Sequence, residues 1–125
     1  MVSAIPTALS GLQAAQLRVN VAANNIANAF SVSPDPNSGE QAQVYTPRQV
    51  IQSYTATGGT TASTRVVQPP AIPVLRTDNS VGYHPNVDFA QEAINLRVAE
   101  HSYRANAAVL RAQNRNFDAL LDILT

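Results

Sequence analysis

Large apolar residues recur every seven positions through the last third of the chain. They are Phe89, Leu96, Tyr103, Leu110, Phe117 and Leu124, and the offsets between them are filled by Ala93, Ala99, Ala107, Leu120 and Leu121. The stretch from Asn86 to Thr125 contains neither proline nor glycine, and Asp88 followed by Gln91 matches a capping box. The pattern predicts a helix over residues 87–125, about 55 Å long, that packs lengthwise on another helix.

A second seven-residue repeat begins near the N-terminus. The large residues are Ile5, Leu12, Val19 and Ile26, with Ala8, Ala15 and Ala22 between them. This predicts a helix from about Ile5 to Asn28. We expect its alanine row to let the C-terminal helix approach closely, with the aromatic and leucine residues of the C-terminal helix packing beside that row. The predicted fold is mainly α: an elongated, antiparallel, coiled-coil-like helical hairpin. The alternative is two separate amphipathic helices on a globular core, but little other apolar sequence remains for them to cover.

Proline and glycine concentrate between the two predicted helices. Seven of the eight prolines and four of the five glycines lie within residues 30–86. The runs RQVIQSYTA and TASTRVV predict a hairpin that turns at Thr57-Gly58-Gly59-Thr60, and PPAIPVLRT predicts an extended edge segment. Residues 31–43 read as a loop. The predicted organisation is an N-terminal helix (1–29), a β-rich or irregular middle region (30–86) and a C-terminal helix (87–125), with both ends forming one unit.

Composition narrows the function classes. Eight arginines balance eight carboxylates, and charged residues make up 13% of the chain, about half the usual fraction. This argues against a nucleic-acid partner and suggests a surface largely covered by other protein. The N-terminus lacks the basic start and unbroken apolar run of a cleaved signal peptide, and no window predicts a membrane span.

Candidate chemical groups are sparse. The two histidines, His84 and His101, lack partners at ligand spacing, and Asp118 and Asp122 read as a solvated like-charge pair. Gly58-Gly59 lacks the lysine and helix start of a phosphate loop, and there is no cysteine. The sequence therefore predicts no enzyme activity, no cofactor and no metal site.

Four asparagines cluster near the end of the first predicted helix, in the stretch NVAANNIAN. On a helical wheel Asn20, Asn24, Asn28 and Asn25 fall at about 0°, 40°, 80° and 140°, opposite Val19, Ala22 and Ile26. Solvated faces usually carry charged residues, which form helix better than asparagine. An uncharged amide row suits a contact with another subunit, because no charge must be desolvated. We therefore expect these four asparagines to form an assembly interface on the face opposite the seam.

Three ordered stretches carry a family resemblance. LRVNVAANNIANAFSV (17–32), with its core Ala23-Asn24-Asn25-Ile26-Ala27-Asn28, resembles the N-terminal signature of bacterial flagellar axial proteins of the rod and hook. VYTPRQVI (44–51) is similar to the segment that follows it in proximal-rod members, and residues 82–110 resemble their C-terminal signature. Residues 52–81 depart from the family pattern.

The resemblance implies a structural role. Such proteins are exported unfolded by the flagellar type III apparatus without a cleaved signal, and they assemble with copies of themselves and with other rod proteins. The rod crosses the periplasm and transmits torque from motor to hook. The alternative is a secreted helical-hairpin adaptor that binds one target and does not polymerise.

Overall fold

The computed structural model describes residues 4–33 and 44–124 of the chain, with a helix at each end and four short strands between them. The helices are α1 (Ala4–Asn28) and α2 (Phe89–Leu124). The strands are β1 (Arg48–Tyr54), β2 (Thr60–Val66), β3 (Ala71–Leu75) and β4 (Val81–Pro85). The two terminal helices and the β-containing middle region are therefore confirmed. Most of the predicted 31–43 loop lies outside the described residues.

The start of α2 is set by its cap. The Asp88 carboxylate oxygen Oδ1 accepts hydrogen bonds from the backbone N–H groups of Ala90 (2.9 Å) and Gln91 (3.1 Å). These donors belong to the first turn, where a helix has no internal acceptors for them. From this cap the helix runs 36 residues, or roughly 54 Å.

The two helices lie antiparallel, and alanines form the centre of their contact. Asn25 of α1 meets Glu92 at the start of α2, whereas Gly11 lies against Asn106 further along it. A Cβ added to Gly11 would lie 2.5 Å from Asn106 Nδ2, so the helices approach closely there. The residues buried along α1 and α2 at this contact include Ala8, Ala15, Ala22 and Ala99, none more than 2% exposed.

The large residues of the predicted seam are not at its buried centre. Four of them lie exposed at the flanks: Val19 (36%), Phe89 (43%), Tyr103 (49%) and Phe117 (42%). Five others are half-buried: Ile5, Leu12, Ile26, Leu96 and Leu110. The side chain of Leu124 lies outside the described residues. These four side chains are therefore not buried within one chain, contrary to the prediction. At Val19 and Tyr103 the reason is the close approach of the two helices at Ala15 and Ala99, which leaves no room between them for large side chains.

Strands β1 and β2 form the predicted hairpin. They pair antiparallel from Arg48 opposite Val66 to Tyr54 opposite Thr60. The turn needs glycine at two successive positions, because Gly58 (φ 87°) and Gly59 (φ 97°) both adopt positive φ.

This first hairpin lies along α1, with β1 running in the opposite direction to the helix. The backbone N–H of Thr60 donates to Ser10 Oγ (3.0 Å) near the start of α1, and Arg48 contacts Asn25 near its end. Between them Arg18 donates to Gln52. An isolated two-stranded hairpin is marginal in water, and α1 supplies the surface that supports this one.

Strands β3 and β4 form a second hairpin, which was not predicted from the sequence. β3 is the predicted extended segment, but β4 lies within the stretch VGYHP, whose glycine and proline are unfavourable for a strand. The two strands pair from Ala71 opposite Pro85 to Leu75 opposite Val81. Ser33, just after α1, forms an isolated antiparallel bridge to Tyr83, which ties the second hairpin to the end of α1.

Candidate assembly surface

Helix α1 has three sides with different surroundings. One side contacts α2 and a second carries the first hairpin. The third side is exposed, and we call it the outer face of α1. Its exposed residues are Leu9, Gln13, Gln16, Asn20, Ala23, Asn24 and Ala27. None of these side chains is charged, so the outer face is a continuous uncharged strip along the helix.

Two of the predicted interface asparagines, Asn20 and Asn24, lie on the outer face, with Asn28 half-buried at its edge. Their amides bond within the helix. Asn24 Nδ2 donates to the backbone carbonyl of Asn20 (2.7 Å), and Asn28 Nδ2 donates to that of Asn24 (2.9 Å). Gln16 Nε2 donates to Asn20 Oδ1 (3.2 Å). The row is thus held in place locally before any partner meets it.

Asn25 is a correction to the predicted interface. It is 0% exposed and lies inside the chain, on the side of α1 that meets α2 and the first hairpin. One helical residue corresponds to a rotation of about 100°, which is enough to move Asn25 from the outer face to the interior.

The Asn25 amide joins three parts of the chain. Its Nδ2 donates to the backbone carbonyl of Arg48 (2.6 Å) and to Glu92 Oε1 (2.6 Å). Its Oδ1 accepts from the Tyr45 hydroxyl (3.0 Å) and from the backbone N–H of Arg48 (3.1 Å). An amide can donate and accept at once, so one side chain satisfies a strand start, a phenol and a carboxylate.

The other groups around Asn25 are also partly or fully buried. Glu92 is 7% exposed, and its second oxygen accepts from Asn95 Nδ2 (3.1 Å). Burial raises the pKa of the Tyr45 phenol; nearby Arg48 lowers that pKa and Glu92 raises it. The neutral phenol is the form that donates to Asn25, so the raised pKa preserves this hydrogen bond over a wider pH range.

The flank residues border an open groove between the two helices. Val19 of α1 and Tyr103 of α2 line it together with Ala15 and Ala99. At the end of the helix pair where α1 finishes, the rings of Phe30 and Phe89 stack with centroids 5.2 Å apart. Phe30 is 77% exposed. Aromatic surface is therefore available at that end.

The structure places the other candidate groups apart. His101 is exposed on α2 beside Glu100, which pairs with Arg97 (3.5 Å) and Arg104 (2.8 Å). His84 is in the second hairpin. Within residues 4–33 and 44–124, no cluster of three or more histidines and carboxylates could hold a metal ion. Neither helix, over the part described, is long and apolar enough to cross a membrane.

The residues around Asn25 carry no signal in the sequence that predicts their contact. Tyr45 falls within VYTPRQVI, yet nothing in that segment predicts a contact with α1. Glu92 follows the cap of α2, where acidic residues are ordinary. Its burial depends on α1 lying directly above it.

Comparison with known proteins adds a family to this geometry. The sequence model of a family described as "Flagella basal body rod protein" matches residues 5–33, which cover most of α1 and the turn after it. The flagellar basal-body rod protein FlgC of Escherichia coli O6:H1 is 38% identical over 113 residues, covering 81% of each chain. FlgC of Salmonella typhimurium is 36% identical over 81% of each chain. FlgC of Borreliella burgdorferi is 29% identical over 98% of this chain and 96% of its own.

Proposed function

This chain belongs to the FlgC family of flagellar basal-body rod proteins, and we propose that it joins the rod by packing α1 and α2 along neighbouring subunits. As a family member it is a structural component of the flagellar basal body. The observation that supports the packing proposal is the uncharged outer face of α1, which runs along the helix from Leu9 to Ala27.

The residue types on the outer face differ from those usual on a helix face that contacts only water. Exposed helix faces usually carry Glu, Lys or Arg, which favour helix formation and add ion pairs between turns. Here the long side chains are amides instead, at Gln13, Gln16, Asn20 and Asn24. Burying an amide beside another amide costs less than burying a charge, because each can satisfy the other. We propose that Asn20, Asn24 and Asn28 contact an adjacent subunit.

The two ends of the chain act together in this proposal. Residues 1–29 and 87–125 form one assembly unit, and residues 30–86 form the middle region beside it. The lengthwise packing of α1 and α2 is coiled-coil-like, with alanines such as Ala15 and Ala99 at the centre. Residues that are exposed in one chain, such as Tyr103 and Phe117, then supply the flanks that neighbouring subunits cover.

The wider role follows from the family. The chain would be exported by the flagellar type III apparatus without a cleaved signal, reach a rod that crosses the periplasm, and transmit torque from motor to hook. Its partners would be copies of itself and other rod proteins. A long helix pair with a hydrogen-bonded junction at Asn25 suits a load-bearing subunit, because both helices and the first hairpin are tied at one point.

The test is a deletion strain examined by electron microscopy of basal bodies. Loss of motility and of complete rods, restored by the wild-type gene, is expected. Intact rods and normal motility in the deletion strain would refute the rod role. If the chain were a non-polymerising adaptor, the mass of its complex would reach a plateau as the protein concentration rises. The mass of an assembly of rod subunits would continue to increase.

The outer face is tested by complementation with Asn24→Lys and Asn24→Ala. Lysine forces a charge into the contact, so the subunit should fold and be exported but fail to enter the rod. Alanine raises helix propensity but removes the amide, and about 1–3 kcal/mol of assembly free energy should be lost for each buried polar group left without a partner. His101→Lys, a charge added at an exposed position on the charged side of α2, is the matched control and should assemble normally. Normal assembly of both Asn24 variants would show that the outer face meets water.

A further inference from the structure

The outer edge of β2 carries backbone groups without partners. At the two ends of the β1–β2 ladder, Val67 N–H donates to the Pro47 carbonyl and Thr55 N–H donates to the Gly59 carbonyl. Since alternate pairs of an antiparallel ladder bond to each other, the N–H and C=O groups of residues 62, 64 and 66 point away from β1. Among the described residues no group bonds to them. We call Ala62, Thr64 and Val66 the open edge.

The outer edge of β1, in contrast, faces the helices. Asn25 of α1 bonds both backbone groups of Arg48, where β1 begins. Val50 lines a pocket together with residues of α2. Further along, Arg18 of α1 donates to the side chain of Gln52. A strand added at this edge would have to displace these contacts.

The second hairpin is protected in two other ways. Pro73, in the middle of β3, has no N–H to offer to a further strand. On β4, the backbone of Tyr83 already bonds to that of Ser33. Proline and covering segments are devices by which proteins keep strand edges from pairing with other chains. The open edge has neither device, so a further strand can be added there.

The open edge lies beside the outer face of α1. A cleft of about 330 Å³ separates α1 from β2, and it is lined by Ala14 and Leu17 on the helix and by Ala62 on the strand. Gln13, which belongs to the outer face, lines the same cleft. The open edge and the uncharged outer face therefore form one continuous surface.

We propose that the open edge pairs antiparallel with the open edge of a second copy of this chain, so that two hairpins form one four-stranded sheet. Placing Thr64 opposite Thr64 of the second copy is the register that pairs the three open residues only with one another. In this register Arg65 lies opposite Ser63 of the second copy, so no like charges meet.

The same pairing covers the outer face. A two-fold axis through the sheet keeps both α1 helices on one side of it, because each hairpin lies on its own α1. The centres of the two hairpins are two strand spacings apart, which separates the helices by about 10 Å, the distance at which helices pack. Gln13, Asn20 and Asn24 then meet uncharged amides, with no charge to desolvate. A second copy thus covers both parts of the surface, whereas a lone strand would cover only the edge.

Such a contact uses the same surface on both copies and closes at two. It covers the outer face that the proposed function assigns to rod packing, so one subunit cannot make both contacts at once. The pair is therefore a state of the unassembled subunit, and a growing rod draws on pairs that dissociate.

Sedimentation equilibrium of the purified full chain tests the pair. The mass should rise with concentration toward twice the 13.3 kDa of one chain. Thr64→Pro removes an outward N–H and leaves the bonds to β1 in place, so it should raise the dissociation constant of the pair at least tenfold. Thr64→Val keeps the N–H and the side-chain shape, and this matched control should stay within twofold. A circular dichroism spectrum checks that each variant folds.

Two charge variants test the register without proline. Ser63→Arg places an arginine opposite Arg65 of the second copy and should weaken the pair, whereas Ser63→Glu should strengthen it. The chain contains no cysteine, so disulfides give a direct reading. When Ser63→Cys and Arg65→Cys chains are mixed and oxidised, the two cysteines are opposite each other, with Cα atoms about 4.5 Å apart. The mixed dimer should form at least tenfold faster than either symmetric dimer, and Thr77→Cys in place of either partner should give only background.

Four outcomes would overturn the inference. They are a monomer at every concentration, equal pairing of Thr64→Pro and Thr64→Val, faster symmetric than mixed crosslinking, and missing rods in a strain whose Thr64→Pro chain folds. The last would make the open edge a rod contact, whereas we expect that strain to build rods. If the deletion strain itself keeps its rods, the rod role fails, and the mass and crosslinking results still decide whether the pair exists.

Discussion

Replacing Asn25 with leucine should destabilise the folded chain severely. Leucine has nearly the same shape as asparagine but can neither donate nor accept a hydrogen bond. The change removes four hydrogen bonds at once: two to Arg48, one to Tyr45 and one to Glu92. Asn25 is 0% exposed, so water cannot replace the lost amide.

The size of this loss in unfolding free energy depends on which former partners of Asn25 can be hydrated instead. The Tyr45 hydroxyl and the backbone of Arg48 lie in partly exposed residues and recover some hydration. Glu92 is 7% exposed, and its Oε1 would be left without its amide donor. A buried group left without its partner costs about 1–3 kcal/mol, and more if it is charged. With the three neutral bonds at about 1 kcal/mol each, the total loss is about 4–6 kcal/mol.

A loss of this size is a large part of the free energy of unfolding of a small domain, which is about 5–15 kcal/mol. Urea denaturation followed by circular dichroism at 222 nm measures it. The matched control is Asn24→Leu, the neighbouring exposed asparagine, which should change the free energy of unfolding by less than about 0.5 kcal/mol. A loss below 1 kcal/mol for Asn25→Leu would show that the Asn25 hydrogen bonds do not hold the helices and the hairpin together.

Asn25→Asp tests the same site through the pH dependence of the free energy of unfolding. It keeps the acceptor for Tyr45 but brings a carboxylate against Glu92, and two carboxylates in contact raise the pKa of one of them. A folded-state pKa above the unfolded value means that the folded state binds the extra proton. The free energy of unfolding of this variant should therefore increase as pH falls through the raised pKa, whereas Asn24→Asp should show no such gain. A flat response would argue that the two carboxylates do not meet.

Three further predictions concern the same framework. Tyr45→Phe should lower the free energy of unfolding by about 1 kcal/mol at neutral pH. Burial raises the pKa of Tyr45, so the wild type should lose stability as pH rises above about 10; alkaline urea titrations of Tyr45→Phe should show a smaller loss, and an identical loss would contradict the prediction. Gly59→Ala should lower the thermal stability more than Gly58→Ala does. Both changes strain a positive φ by about 1–3 kcal/mol, but only the Gly59 methyl group would also lie 2.7 Å from Ser10 Oγ. Equal losses of stability would show that this contact does not matter. Ala99→Leu should cost at least about 1–3 kcal/mol by overpacking the helix contact, while exposed Ala105→Leu should be nearly neutral, and similar effects of the two would mean that the alanine contact tolerates larger side chains.

The helices and the first hairpin were predictable because each has a local cause. Seven-residue periodicity and the absence of proline and glycine predict α2, and the Asp88 cap marks its start. Two adjacent glycines mark the β1–β2 turn, since few other residues adopt two positive φ angles in succession. These signals act over a few residues and do not depend on the rest of the chain.

The second hairpin and the exposure of the large seam residues were not predictable in this way. β4 pairs with β3 through backbone groups, and its Gly82 and Pro85 are residue types that strands disfavour. The heptad pattern shows which side of a helix is apolar, but not which residues reach the centre of the contact. That depends on the distance between the helices, which Gly11 and the alanines set by their small size. Tyr103 was placed on the correct side and at the wrong depth.

Asn24 and Asn25 show why a row of like residues need not have one role. The partners of Asn25 include the backbone N–H and carbonyl of Arg48, which every residue type except proline presents in the same way. No pattern in the side chains of α1 could therefore mark position 25 as interior. An amide suits the interior site because it donates to a carbonyl and accepts from an N–H at once, and it suits the outer face because it carries no charge to desolvate. The same side chain thus meets two different requirements 100° apart on one helix. It follows that substitution of Asn25 should be read out in folding, whereas substitution of Asn24 should be read out in rod assembly by a subunit that still folds.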